Sequence, residues 1–408
     1  MAGPLGHIRV LDLSRVLAGP WAGQTLADLG AEVIKVERPG VGDDTRGWGP
    51  PFLQDAAGNP TSDAAYFLST NRGKKSVTID FTQAAGRELV CRLAEESDIL
   101  LENFKVGGLA KYGLDYATLK QLNPRLIYCS ITGFGQTGPN RQRAGYDFLI
   151  QGMGGLMSVT GAPDGEPGGG PMKVGVAIVD IFTGMYASTA VLAALAHRER
   201  TGEGQHIDLA LFDVQVATLA NQAMNYLVSG TAPGRLGNAH PNIVPYQALA
   251  TADGHIILAV GNDGQFGKFC RLAGCAALAT DPRFVGNAAR VENRTQLIPL
   301  IEEALRQRVS KDWIDLLEGA GVPCGPINTL AEVFSDPQIE ARQMRIDLEH
   351  QSAGSVPQVG SPMKFSQTPV EYQQAPPVLG EHNREILGQL LGLSEAQQLQ
   401  LASDGIIA

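Results

Sequence analysis

Asp180 is the one carboxylate in a long stretch of small and apolar residues. A glycine-rich loop, Gly168-Gly169-Gly170, runs through the apolar residues 174–179 to reach it. Beyond it, residues 184–196 are small and apolar, closed by His197, Arg198 and Arg200. That order reads as a helix with an acid at its amino end and cations in its last turn, as the helix dipole favours. An aspartate at such a place is ordinarily an N-cap. It can also be a carboxylate nucleophile, with its pKa held low by the helix end and its approach cleared by Gly175 and Gly184. His240, in the loop Gly237-Asn238-Ala239-His240-Pro241-Asn242, could be a general base, a substrate contact or a structural histidine. A Ser/His/Asp triad has no GxSxG elbow to sit on. The first turn, Ser14 to Pro20, has no GxGxxG, and no GxxxxGK[ST] occurs, which argues against hydride transfer and nucleoside-triphosphate chemistry. Basic residues recur after successive strand patterns: Arg15, Arg38, Arg72 with Lys74 and Lys75, and Lys105 with Lys111. If they converge, they form a pocket for a phosphate-bearing small molecule.

The elements that must position these residues alternate. Residues 8–13 read as a buried strand, broken by Ala18-Gly19-Pro20. Residues 21–29 then have helical spacing, and 31–37 read as a second strand. This is a βαβ unit, which implies a parallel sheet. A strand at 76–80, a helix at 86–96 and strands at 99–102, 126–132 and 205–211 continue the pattern. Asn103-Phe104-Lys105 follows a strand's carboxyl end, where open α/β sheets bind ligands. The expected fold is α/β: a doubly wound, Rossmann-like large domain with a smaller α+β domain. Residues 1–213 form the first part of the large domain, 225–315 the small domain, and 320–408 a return segment. Helices are expected at 214–228, 265–272, 291–308 and 383–391, with a strand at 255–260.

The 408 residues carry 32 Lys and Arg against 42 Asp and Glu, a net charge of -10, which argues against nucleic-acid binding. Five cysteines without a CxxC pair suit reduced thiols in the cytoplasm. The histidines are scattered, with no metal-ligand spacing, so no metal is expected. The amino-terminal residues lack the pattern of a signal peptide. The apolar helix around 185–196 is too short to span a bilayer, so no membrane association is expected.

Several motifs together resemble the class III CoA-transferases, the family of formyl-CoA:oxalate and carnitine CoA-transferases. They are VLDLSRVLAGPWAGQTLADLGAEVIKVERPGVGDDTR (10–46), NRGKKSVTID (71–80), ENF (102–104), NPRLIY (123–128), GYD (145–147), VDIFTGM (179–185), TGEGQ (201–205), VPCGPI (322–327) and LGEHN (379–383). The resemblance implies that Asp180 is the nucleophile and that CoA is a substrate rather than a tightly bound cofactor. It carries CoA contacts to Val16, Leu17, Ala18, Arg38, the segment from Ile79 to Thr82, Asn103, Phe104, Lys105 and Lys111. Tyr146 and Asp147 fall where the family lines the acyl site. A homodimer of interlocked chains is also implied. One departure is that the family's glycine-rich lid is replaced by Arg235-Leu236-Gly237-Asn238-Ala239-His240. The segment GNAHPNIVPYQ resembles a dicarboxylate branch in which succinyl-CoA donates to acids such as glutarate. His240, Arg15 or Arg72 would then meet the distal carboxylate, and backbone amides at Gly168 to Gly170 or Gly237 would stabilise oxyanions. Two alternatives remain. One is an α-methylacyl-CoA racemase of the same fold, in which a histidine stands where this chain has Tyr146. The other is an acyl-CoA-binding protein without catalysis.

Overall fold

A computed structural model describes residues 3–408. Six strands form one wholly parallel sheet: β1 (Arg9–Asp12), β2 (Glu32–Glu37), β3 (Lys74–Thr78), β4 (Ile99–Glu102), β5 (Ile127–Thr132) and β6 (His206–Ala210). Their order across the sheet is β3-β2-β1-β4-β5-β6. Every residue of β4 and β5 is buried, as expected where both faces of a parallel sheet are covered. The helices that matter for the site are α1 (Ala18–Asp28), α2 (Ala84–Glu95), α3 (Tyr116–Leu122), α4 (Asp147–Met153) and α5 (Ile178–Thr201). On one face, Ala22 and Leu26 of α1 and Ala187 and Val191 of α5 share a core with Val10, Val33 and Leu101. On the other, Leu89 and Leu93 of α2 and Leu119 of α3 pack with Leu11, Leu100 and Tyr128. Leu387, Ile406 and Ile407 complete that second core.

Several elements differ from the sequence reading. Ala18-Gly19-Pro20 does not separate strand from helix but forms the first turn of α1. Proline is tolerated there because first-turn N–H groups have no intrahelical partner. The basic run at 71–75 is not a surface turn, since Lys74 and Lys75 open β3. The helix expected at 214–228 is two, Leu211–Ala217 and Ala220–Ser229, interrupted where Ala220 takes φ 47°. Residues 291–308 likewise divide between Asn287–Glu292 and Arg294–Leu305. A terminal helix, Glu395–Ser403, begins with a capping box at Ser394 that the sequence reading passed over.

The apolar helix around residue 190 is also longer than read. α5 has 24 residues and is long and apolar enough to cross a bilayer by length and composition. The length argument against a membrane span therefore fails. However, Val179, Ala187, Val191 and Ala194 on one side of α5 are spent in the sheet's core.

The chain divides into two compact units. The larger comprises residues up to Gly155, Val174–Ala220 and Gln338–Ala408, and it contains the parallel sheet. The smaller comprises Leu156–Lys173 and Asn221–Pro337. Its antiparallel sheet joins Cys324–Gly325, His255–Ala259 and Tyr246–Ala250. Phe266, Phe269, Trp313 and Leu317 are buried in its core.

Candidate active site

The N-cap of α5 is Ala177, whose side chain offers no cap, and Asp180 is the third helical residue. Asp180 is therefore not the N-cap. That work falls to Asp147, the first residue of α4, whose Oδ1 accepts the Val179 N–H at 2.8 Å. Its Oδ2 accepts from Gln151 Nε2 at 2.6 Å, and Gln151 Oε1 accepts the Val174 N–H at 2.9 Å. Gln151 is fully buried, so α4 pins the chain on both sides of the entry to α5. The Asp180 carboxylate is left unused by its own helix. Burial, reinforced by the charge of Asp147, pushes its pKa up to about 7. This overturns the expectation of a lowered pKa: desolvation and a like charge outweigh the helix end. Tyr66 lies within electrostatic reach of both acids. Burial first, then Asp180 and Asp147, raise its phenol to about 12, so it stays protonated.

Asp180 faces a cavity of about 520 Å³ at the carboxyl ends of β1, β3, β4 and β5. The strand order reverses between β1 and β4, and ligands bind at such switch points in open α/β sheets. The turn from β1 into α1 forms one wall. Val16 there takes φ 73°, a left-handed conformation that is strained for a β-branched residue. A buried polar network holds the turn. Asp12 Oδ1 accepts the Ser14 N–H at 3.0 Å. Lys35 Nζ donates to Ser14 O and to Asp43 Oδ2, both at 2.9 Å. Asp43 Oδ1 in turn accepts the Val16 N–H at 3.3 Å.

From the opposite wall, Asn103 accepts the Arg15 N–H at 2.9 Å and donates to Arg15 O at 2.6 Å. Phe81 meets Phe104 and Tyr112 edge to face at 5.7 and 5.6 Å, giving the cleft an aromatic side. A third wall is the loop between Gly133 and Gly145. Their backbones approach so closely that a Cβ on Gly133 would lie 2.6 Å from Gly145 Cα. The loop so pinched brings Arg141 and Arg143 to the cavity.

Cations against an aromatic cleft, with one partly desolvated carboxylate inside, suit a large anionic ligand carrying an electrophilic carbonyl. The comparisons with known proteins agree. Residues 5–383 match the family described as CoA-transferase family III. The succinate–glutarate CoA-transferase of Agrobacterium fabrum is 55% identical over 95% of this chain and 96% of its own length. The succinyl-CoA:glutarate CoA-transferase of Mus musculus is 42% identical over 99% of this chain and 90% of its own. The crystal structure of a CAIB/BAIF family protein from Brucella suis superposes with a TM-score of 0.83 at 56% identity. It covers 96% of this chain and 100% of that one. The chain belongs to CoA-transferase family III.

In this CoA-transferase the cavity gathers Asp180, Tyr146, Val16, Leu17, Ala18, Thr82, Asn103, Phe104, Lys105 and Lys111. Other residues singled out in the sequence lie elsewhere. Ile79 is buried in the core. Arg38 is exposed and, near Asp80, lies outside the cavity lining. Asp147 acts from behind, through Val179. His240 belongs to the smaller unit, where its Nδ1 accepts the Asn242 N–H at 3.0 Å and its ring packs 5.3 Å from Tyr246.

The expected convergence of cations fails for Arg38 and for three more. Lys74 is buried against Asp12 at 2.9 Å and Arg72 against Asp28 at 2.6 Å. Lys75 bridges Glu32 and Glu385 at 2.8 and 2.7 Å. Arg15 lines the cavity but pairs with Asp44 at 2.8 Å. The amides of Gly169, Gly170 and Gly237 already donate to Glu166 O, Ala162 O and Gly161 O, so they are not available as oxyanion donors in this conformation. Gly184 does not clear an approach either. A Cβ there would lie 2.7 Å from Ala18 O, so it serves the close packing of α5 on α1. Tyr66, Tyr112, Arg141 and Arg143 were missed by the sequence reading. The paired glycines at 133 and 145, bracketing two arginines just before Tyr146, were the one available signal for the last two. Among the described residues, no cluster of His, Cys, Asp or Glu is placed to hold a metal ion.

Proposed function

We propose that this enzyme transfers CoA from succinyl-CoA to glutarate with Asp180 as the nucleophile. The observation that carries the reading is the position of Asp180: it is the only carboxylate among the described residues lining the cavity, at the head of α5. The substrates follow the names of the relatives at 55% and 42% identity. Asp180 attacks the succinyl thioester carbonyl, forming an aspartyl–succinyl anhydride and expelling CoA thiolate. The thiolate attacks the aspartyl carbonyl, releasing succinate and leaving an Asp180–CoA thioester. Glutarate attacks that thioester to give a second anhydride and free the thiolate again. The thiolate then attacks the glutaryl carbonyl, producing glutaryl-CoA and restoring the Asp180 carboxylate. Each exchange conserves the thioester's free energy, so no other energy source enters.

In this reading Val16, Leu17, Ala18, Asn103 and Phe104 hold CoA, and Lys105, Lys111 and Arg141 meet its phosphates. Thr82 lines the same site, whereas Arg38 and Ile79 stand outside its lining. Tyr146 and Asp147 shape the acyl end, and the larger unit is the CoA-binding domain. The enzyme acts as an interlocked homodimer. Phe182, Met185, Tyr186 and Leu192, each between 38% and 45% exposed on α5, support burial by a second copy. The five unpaired cysteines support a reducing cytoplasm.

The test is mass spectrometry after incubation with succinyl-CoA and no acceptor, followed by borohydride reduction. The expected result is a reduced adduct at Asp180 that disappears when glutarate is added first. Turnover with no adduct at Asp180, or full turnover in Asp180→Ala, would refute the nucleophile.

A further inference from the structure

The carboxyl end of the sheet carries a polar row that the transfer chemistry does not use. Glu102 ends β4 in register with Ser130 of β5, and Ser130 is in register with Asp208 of β6. Glu102 and Ser130 are only 5% and 2% exposed. Glu102 Oε2 accepts the Phe104 N–H at 2.8 Å. Ser130, beside it on the neighbouring strand, acts as a donor that pulls the Glu102 pKa down, and its hydroxyl lies 2.9 Å from His206 Nε2. His206 is on the outer strand, its ring stacked on Tyr116 at 5.1 Å and its edge open to solvent. Phe104, whose amide Glu102 holds, faces the CoA cleft beside Asn103 and Lys105.

Because Ser130 has one hydroxyl proton, this chain of three groups has two hydrogen-bond directions. With Glu102 ionised, Ser130 donates to the carboxylate and accepts from His206 Nε2–H. With Glu102 protonated, its own O–H donates to Ser130, which donates on to His206. The Phe104 N–H bond is charge-assisted only in the first arrangement. Burial raises Glu102 to about 7 against the pull of the Ser130 and Phe104 donors, so both arrangements are accessible near neutral pH.

The titratable groups that surround Glu102 come from β5, β6 and the α3 side. Burial and the Glu102 charge push Tyr128 and Cys129 of β5 upward. Burial lowers His206, partly offset by Asp208, both on β6. From the α3 side, Asp115 acts on Tyr128 and Lys120 lies over the Tyr116 ring. Leu11 and Leu13, the neighbours on the β1 side, are apolar.

We propose that Glu102 is a positioning residue for the CoA cleft, its carboxylate holding the Asn103-Phe104-Lys105 wall through the Phe104 amide, with Ser130 setting the pH at which that hold is lost. The role rests on the cavity being the CoA site, as proposed above. The experiment is calorimetric binding of free CoA between about pH 6 and about pH 8, in an Asp180→Asn background that removes the titration of the cleft's own carboxylate. With Glu102 present, affinity is expected to fall about tenfold as the pH drops through the transition. Adding Glu102→Gln should abolish that step and hold affinity near its low-pH value. Ser130→Ala removes a donor to the carboxylate and should move the step to higher pH. Comparing variants cancels the titration of CoA's own phosphate. An unchanged step in Glu102→Gln overturns the proposal, and so does an unmoved midpoint in Ser130→Ala, which decides alone if the first variant fails to fold. Acyl transfer to Asp180 is read separately. CoA binding with the Glu102 step but no adduct would refute the proposed reaction alone. Adduct formation with no Glu102-dependent step would refute the positioning role alone.

Discussion

Asp180 must be ionised to attack a thioester, yet its surroundings favour the protonated acid near neutrality. The rate under kcat/KM conditions should therefore fall as the pH drops below about 7, the limb reporting the free enzyme. Asp147→Asn removes the like charge while its amide oxygen can still accept the Val179 N–H. Its acid limb should move to lower pH by on the order of one unit, and a limb that stays put would show that burial alone sets the pKa. The same perturbation bears on stability. Below 3.8, the ordinary value, both native and unfolded Asp180 are protonated and nothing is lost. As pH rises toward about 7, the native protein keeps a proton that the unfolded chain has released, so stability falls. Above that, the penalty is constant. Asp180→Asn should thus raise Tm by on the order of 2–4 °C at about pH 8 and leave it unchanged near pH 4, as scanning calorimetry would show. Asp180 itself was legible from its place in an apolar pattern. Its pKa was not, because the burial that raises it and the Asp147 charge that adds to it both come from parts of the chain brought together only by the fold.

At the scale of elements, the head of α5 is positioned by close backbone contacts. Gly184→Ala places a Cβ 2.7 Å from Ala18 O and 2.9 Å from Trp21 Cδ1. It should destabilise the protein by about 1–3 kcal/mol and lower kcat by shifting Asp180 relative to the cleft. Gly175→Ala, with nothing within 4 Å, is the control, and steady-state kinetics with denaturant unfolding separate the two. Strands such as β4 and β5 were readable because a parallel sheet covered on both faces leaves mainly apolar runs. Lys35, Lys74 and Arg72 were harder to read. Their partners Asp43, Asp12 and Asp28 lie in other elements, so a cation in the sequence gave no sign of whether it faced a ligand or a buried acid. The breaks near Ala220 and Asn293 were also hidden, because helical spacing continues through them.

For the whole molecule, the apolar side of α5 that faces away from the sheet makes a prediction about assembly. Tyr186→Glu places a charge among Phe182, Met185 and Leu192, and light scattering should report a shift from twice the chain mass toward one. An unchanged mass would place the subunit contact elsewhere. The two-unit organisation was harder to read from the sequence than either sheet, because Leu156–Lys173 joins the smaller unit across a long gap in the chain. The larger unit is likewise built from separated segments, and its second core needs Leu387, Ile406 and Ile407 beside Leu89 and Leu93. On the ribosome, α2 is made early, but the residues that cover it emerge only after the whole smaller unit has been translated. At 5–20 residues per second, that leaves roughly tens of seconds in which an apolar surface is exposed. Production of this enzyme should therefore depend on chaperone supply and growth temperature more than its finished stability would suggest.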